Sequence, residues 1–184
     1  LRPPLRARVF LVQLYIVGVR SLGLSIVTAA FAGMVMAFQF GDGLSRFGAR
    51  VYIGQTTVTA LIRELAPILT ALVVGGRVGA GITAELSGMA VTEQLDAMRA
   101  LGADPWQRLV APRLVAVAVA MPLLAVCADV VGFFGGMLVA WAQYGVSAAL
   151  FTRSVLDFLE VSDMTSGMVK AIAFGLIVGA IACR

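Results

Sequence analysis

The sequence predicts an all-α polytopic membrane helical bundle, and three observations lead there. Of its 184 residues, 60% are hydrophobic and only 13% are charged, against about a quarter charged in a typical soluble domain. Mean hydropathy is +0.97. The apolar residues also fall in runs long enough to cross a bilayer instead of in scattered patches.

Residues 1–8, LRPPLRAR, are basic, carry two prolines and read as a cytoplasmic or interfacial lead-in. The stretch 9–19 is apolar but too short for a hydrocarbon core of about 30 Å. It reads as an N-terminal interfacial helix or as the leading part of a longer, tilted one. Residues 22–40 are long enough to span, and Gly23, Ala29, Ala30, Ala32 and Gly33 suit close helix packing in lipid. A polar turn over 41–50 leads to a second span, 51–76, with Arg63, Glu64 and Pro67 near its middle.

The segment 77–107 carries Arg77, Glu85, Glu93, Asp96, Arg99 and Asp104, and has room for one helix with flanking turns. Gly102 is placed to end that helix. Asp104 suits the N-cap of the next one and Pro105 its first turn. Residues 109–142 are apolar apart from Asp129. They form either one helix longer than the core requires or a helix broken at Gly132, Gly135 and Gly136. Residues 143–168 read as a short amphipathic segment outside the core, and 169–183 as a fourth span.

Arginine and lysine set the sidedness. Arg2, Arg6, Arg8, Arg20, Arg77, Arg99, Arg108, Arg113 and Arg184 fall on one set of connections. Arg46, Arg50, Arg153 and Lys170 fall on the other. The imbalance places the N-terminus and the 77–107 segment in the cytoplasm.

Composition also excludes functions. The chain has no histidine, the commonest general base and metal ligand. Cys127 and Cys183 sit inside apolar runs as small hydrophobes. The glycine-rich runs GGRVGAG (75–81) and GFFGG (132–136) lack the Gly-Lys-Ser/Thr of a phosphate loop. No basic stripe with interleaved aromatics suggests nucleic acid. No catalytic constellation stands out, so the chain is read as lacking enzymatic activity of its own.

Three features carry functional readings. Arg63 and Glu64 are charges in mid-span, costing about 2.5–3.5 kcal/mol on insertion scales. Adjacent on a helix, they point about 100° apart, so each needs a partner elsewhere. Pro67 releases the Arg63 carbonyl from its helical bond. The pair marks either a polar point in a substrate cavity or a structural ion pair to another helix. Asp129, the second intramembrane charge, either pairs with Arg63 or marks the outer end of its span. The stretch 83–101, TAELSGMAVTEQLDAMRAL, has amphipathic spacing. It suits docking of a soluble partner or lying on the headgroups.

The run RELAPILTALVVGGRVGAGITAELSGMAVTEQLDAMRALGADPWQRLVAPR, residues 63–113, closely resembles the MlaE/YrbE permease family. Its core is Thr92-Glu93-Gln94-Leu95-Asp96-Ala97-Met98, followed by Asp104-Pro105 and Ala111-Pro112-Arg113. Gly33-Met34-Val35 and Gln39 also fit.

The resemblance implies a single transmembrane permease domain over 1–184, from a protein of about five spans of which four are covered here. Arg184 would lie at a cytoplasmic turn before a last helix. It implies the membrane subunit of an ABC transporter moving phospholipid or similar hydrophobic molecules between membranes. The setting is the bacterial inner membrane. Expected partners are a second permease chain, a cytoplasmic ATPase that binds ATP and magnesium, and a periplasmic MCE-domain protein. No cofactor is expected on this chain. Glu93, Gln94, Asp96 and Met98 match the coupling helix entering the ATPase. Arg63, Glu64, Leu65, Met36, Leu44 and Phe47 match the lining of a lipid cavity. A secondary transporter and a scaffold for the MCE protein are the alternatives.

Overall fold

The computed structural model describes residues 7–183. The basic lead-in at 1–6 and Arg184 lie outside the described residues. The described residues form six helices: α1 (Phe10–Arg46, with helical backbone back to Ala7), α2 (Arg50–Val91), α3 (Gln94–Ala100), α4 (Trp106–Tyr144), α5 (Ala148–Phe158) and α6 (Val161–Ala182). Four of them, α1, α2, α4 and α6, are long and apolar enough to cross a membrane.

Several boundaries differ from the sequence reading. The apolar stretch 9–19 is not a separate interfacial helix. It runs into the first span through one wide turn at Tyr15–Val19. The second span does not stop at Gly76. It continues to Val91, 42 residues in all, or about 63 Å at helical rise. The third span is unbroken at its glycines and carries Pro122 internally. The fourth starts at Val161, eight residues earlier than expected, because Glu160 and Asp163 form a capping box there. The amphipathic segment before it is α5, whose Phe151, Ser154 and Val155 are buried.

Small residues at every fourth position hold the bundle together. On α1 the buried stripe is Ser21, Ser25, Ala29, Gly33, Ala37 and Gly41. On α4, Ala116, Ala120, Ala128, Gly132, Gly136 and Ala140 keep the same spacing. On α6 it is Gly167, Ala171, Gly175 and Gly179. Spacing of four aligns the i±4 ridges of facing helices, and small side chains let backbones approach in lipid, where apolar burial supplies no drive. A Cβ on Gly33 would collide with the Gly132 backbone carbonyl. Leu24, Val27, Phe31, Val35 and Phe38 occupy the exposed face of α1.

The close pairs also give direction. Gly18 faces Ala120, Gly33 faces Gly132 and Gly41 faces Tyr144, so α1 and α4 run parallel. Gly167 faces Ile62, Gly75 faces Val178 and Gly79 faces Ala182, so α2 and α6 run parallel too. The start of α1, the end of α2, the start of α4 and the end of α6 therefore share one end of the bundle. This is the end bearing α3.

Candidate functional site

The mid-span charges are partnered between α2 and α6. Arg63 Nη1 lies 3.4 Å from Asp163 Oδ1. Lys170 Nζ lies 2.6 Å from Glu64 Oε1 and donates to the Arg63 carbonyl at 3.0 Å. That carbonyl is the one Pro67 leaves without a helical donor. The backbone around it widens into a π turn at Leu61–Leu65, a distortion frequent at functional sites. Asp163 and Lys170, seven residues apart, are two turns apart on one face of α6 and reach down the same side of α2.

The Asp163 side chain is 11% exposed, while those of Arg63 and Glu64 remain 54% and 59% exposed. The layer thus joins two helices and still presents charge laterally from the bundle. Asp129 is not the partner of Arg63. Its Oδ1 is buried with no hydrogen-bond partner among the described residues. Lys170, counted above among loop cations, lies inside α6.

The other sequence-predicted cavity residues scatter over the half of the bundle away from α3. Leu65 is half-buried beside Glu64 in α2. Met36 is half-buried on α1. Leu44 packs against the cluster of Ile53, Val58 and Phe151, and Phe47 is 86% exposed just beyond α1. An apolar surface groove of about 480 Å³ lies along α1 and α4, lined by Met34, Val35, Phe38, Gln39 and Val139. Met36 does not line it.

At the opposite end, the stretch 83–101 is not one helix. Residues 83–91 complete α2, and the chain turns at Thr92 and Glu93. Glu93 has φ of 56°, the left-handed region and the single positive φ at a non-glycine among the described residues. The Thr92 hydroxyl donates to the Gly88 carbonyl at 2.8 Å, satisfying the frayed helix end. The short α3 then presents Glu93, Gln94 and Asp96 to solvent, with Met98 half-buried. Gly102 closes α3 at φ of 71°. Asp104 accepts from the Trp106 N–H at 3.0 Å, capping α4 as its position suggested. A cavity of about 420 Å³ separates α3 from the ends of α2, α4 and α6.

Residues 10–184 match the family described as Permease MlaE. The chain belongs to the MlaE permease family. A probable ABC transporter permease protein of Rickettsia typhi is 42% identical over 183 residues, covering all of this chain and 71% of that protein. A probable ABC transporter permease protein of Synechocystis is 38% identical, covering 93% of this chain and 65% of that protein. The chloroplastic protein trigalactosyldiacylglycerol 1 of Arabidopsis thaliana is 39% identical, covering 93% and 49%.

The MlaE-family chain is therefore a multi-pass membrane protein and an ABC transporter permease, a class that works with an ATPase subunit. In this permease the sequence reading found Arg63 and Glu64 but missed Asp163 and Lys170. One signal was present: Lys170 is the sole lysine and stands within an apolar run, where a charge marks a site by default.

Proposed function

We propose that this permease moves phospholipid or a similar hydrophobic molecule between membranes, driven by ATP hydrolysis on a separate subunit. The observation that carries the reading is the half-exposed charged layer of Arg63, Glu64 and Lys170 inside two spanning helices. Charges left open at membrane depth require a polar partner or a water-filled cavity. Arg63 and Lys170 suit an anionic headgroup. Leu65, Met36, Leu44 and Phe47, with the apolar groove beside them, suit acyl chains. The lipid in the name of the Arabidopsis relative supports the same class of cargo.

The rest of the assembly follows from this reading. A second permease chain covers the open side of the charged layer, forming a cavity that alternates in access. The ATPase carries ATP and magnesium and docks on Glu93, Gln94, Asp96 and Met98. A periplasmic MCE-domain protein passes the lipid onward. The arginine imbalance supports a cytoplasmic N-terminus in a bacterial inner membrane.

The test is lipid recovered with the purified complex, wild type against Arg63→Ala/Glu64→Ala, quantified by mass spectrometry. A loss of bound phospholipid from a folded variant is expected. Equal recovery overturns the assignment of the cavity.

A further inference from the structure

Four polar links tie α2 to its neighbours. At the outer position these are the Arg63–Asp163 and Glu64–Lys170 pairs to α6. Near the α3 end, the Thr83 hydroxyl donates to the Ala182 carbonyl at 3.0 Å, again joining α2 to α6. Between α2 and α4 the corresponding link is Arg113 Nη2 to Glu85 Oε1 at 2.7 Å. The Arg113 side chain is 4% exposed and Glu85 is 53% exposed. The guanidinium's Nη1 is buried with no partner among the described residues, so Glu85 supplies the compensating charge.

The surroundings explain why this link has leverage. Glu85 stands two turns before the strained joint at Glu93, from which α3 hangs. No residue of α3 is buried, and the 420 Å³ cavity behind it leaves room for travel. Below that cavity, α2, α4 and α6 share one apolar cluster that includes Val78, Ile82, Val117, Met121 and Ala182. Leu114, the neighbour of Arg113, faces Gly179 close to the end of α6. Apolar contacts in such a cluster slide at little cost. The Arg113–Glu85 pair does not, because breaking it strands the buried guanidinium without its counter-charge.

We infer that Glu85 and Arg113 are positioning residues that pass movement of α3 and the end of α2 into α4. The inference rests on the ABC reading above and adds the route by which the coupling element reaches the third span. Neither residue touches cargo or nucleotide in this scheme.

The experiment uses the permease assembled with its ATPase. The variant is Glu85→Ala/Arg113→Met, which removes both charges and so avoids an unpaired buried cation. The first readout is an ATP-induced change in spin-label distance between Leu72→Cys on α2 and Leu138→Cys on α4, with Cys127 and Cys183 replaced by alanine. The second is transfer of fluorescent phosphatidylglycerol between vesicles per ATP hydrolysed. The expected variant folds, retains the ATPase and its hydrolysis, loses the distance change, and moves about fivefold less lipid per ATP or fewer still. A distance change and lipid yield equal to wild type overturn the inference, since a merely structural pair is fully replaced by the neutral variant. If the double variant does not accumulate in the membrane, Glu85→Gln/Arg113→Leu, which likewise leaves no buried cation, is measured with the same two outcomes. A wild type that shows the ATP-induced distance change but moves no phosphatidylglycerol refutes the lipid reading and leaves the link standing.

Discussion

Lys170 Nζ on α6 donates to the backbone carbonyl of Arg63 on α2 at 3.0 Å, while the same ammonium pairs with Glu64 at 2.6 Å. One cation thus satisfies both the carbonyl released by Pro67 and the carboxylate beside it. The proline is tolerated in mid-span because a neighbouring helix supplies the missing donor.

This double role gives a first expectation. Lys170→Met is expected to destabilise the detergent-solubilised protein by about 0.6–2 kcal/mol, the range for interhelical polar contacts in membranes. Glu64→Gln added to Lys170→Met is expected to cost less than the sum of the two single changes, because both act on one contact. Thermal unfolding of the four proteins in the cycle checks this.

Asp163 also serves twice, holding Arg63 and accepting at the start of α6 from the Glu160 N–H at 3.4 Å. Asp163→Asn keeps an acceptor for the cap and removes the charge. Asp163→Ala removes both, and is expected to be less stable than Asp163→Asn by about 1 kcal/mol, the usual worth of a cap contact. Equal melting temperatures for the two variants would show that the cap contributes nothing.

The tight contact of Gly33 with Gly132 is open to a direct comparison. Gly33→Ala sets a methyl against the Gly132 carbonyl, whereas a methyl at Gly43 meets nothing within 4 Å. Gly33→Ala is expected to cost about 1–3 kcal/mol, as overpacking does. Gly43→Ala is expected to be neutral or slightly stabilising, since alanine is the better helix former. Melting temperature and monodispersity on gel filtration distinguish the two.

Glu93 sits at φ of 56°, where a side chain branched at Cβ is strained. Glu93→Val is expected to weaken ATPase binding by about five- to thirtyfold, equivalent to a cost of about 1–2 kcal/mol for that conformation. Glu93→Gly is expected to bind better than Glu93→Val, because it keeps the turn although it loses the carboxylate. Titration of the ATPase onto nanodisc-embedded permease gives the order. Equal weakening by both would assign the effect to the carboxylate alone.

Helix class and span count were legible because hydropathy and length follow directly from bilayer thickness. The need of Arg63 and Glu64 for partners was legible from the geometry of adjacent helical positions. The identity of those partners was not. Asp163 and Lys170 lie about a hundred residues along the chain, and their spacing of seven gains meaning only once α6 lies parallel to α2. The early start of α6 was hidden because its first turn is polar, the capping box doing what apolar residues do elsewhere. The split of 83–101 was hidden because amphipathic spacing continues across Thr92 and Glu93 while the backbone does not. The Glu85–Arg113 pair crosses between spans, and no local pattern announces it.

The most direct test of the central claim is ATP-driven lipid movement by the reconstituted complex, comparing wild type with Arg63→Ala/Glu64→Ala. Phosphatidylglycerol transfer that requires ATP is expected in the wild type, and loss of that transfer in a variant that still folds and still supports ATP hydrolysis. Transfer by the variant at the wild-type rate, or none by a wild-type complex that hydrolyses ATP, contradicts it.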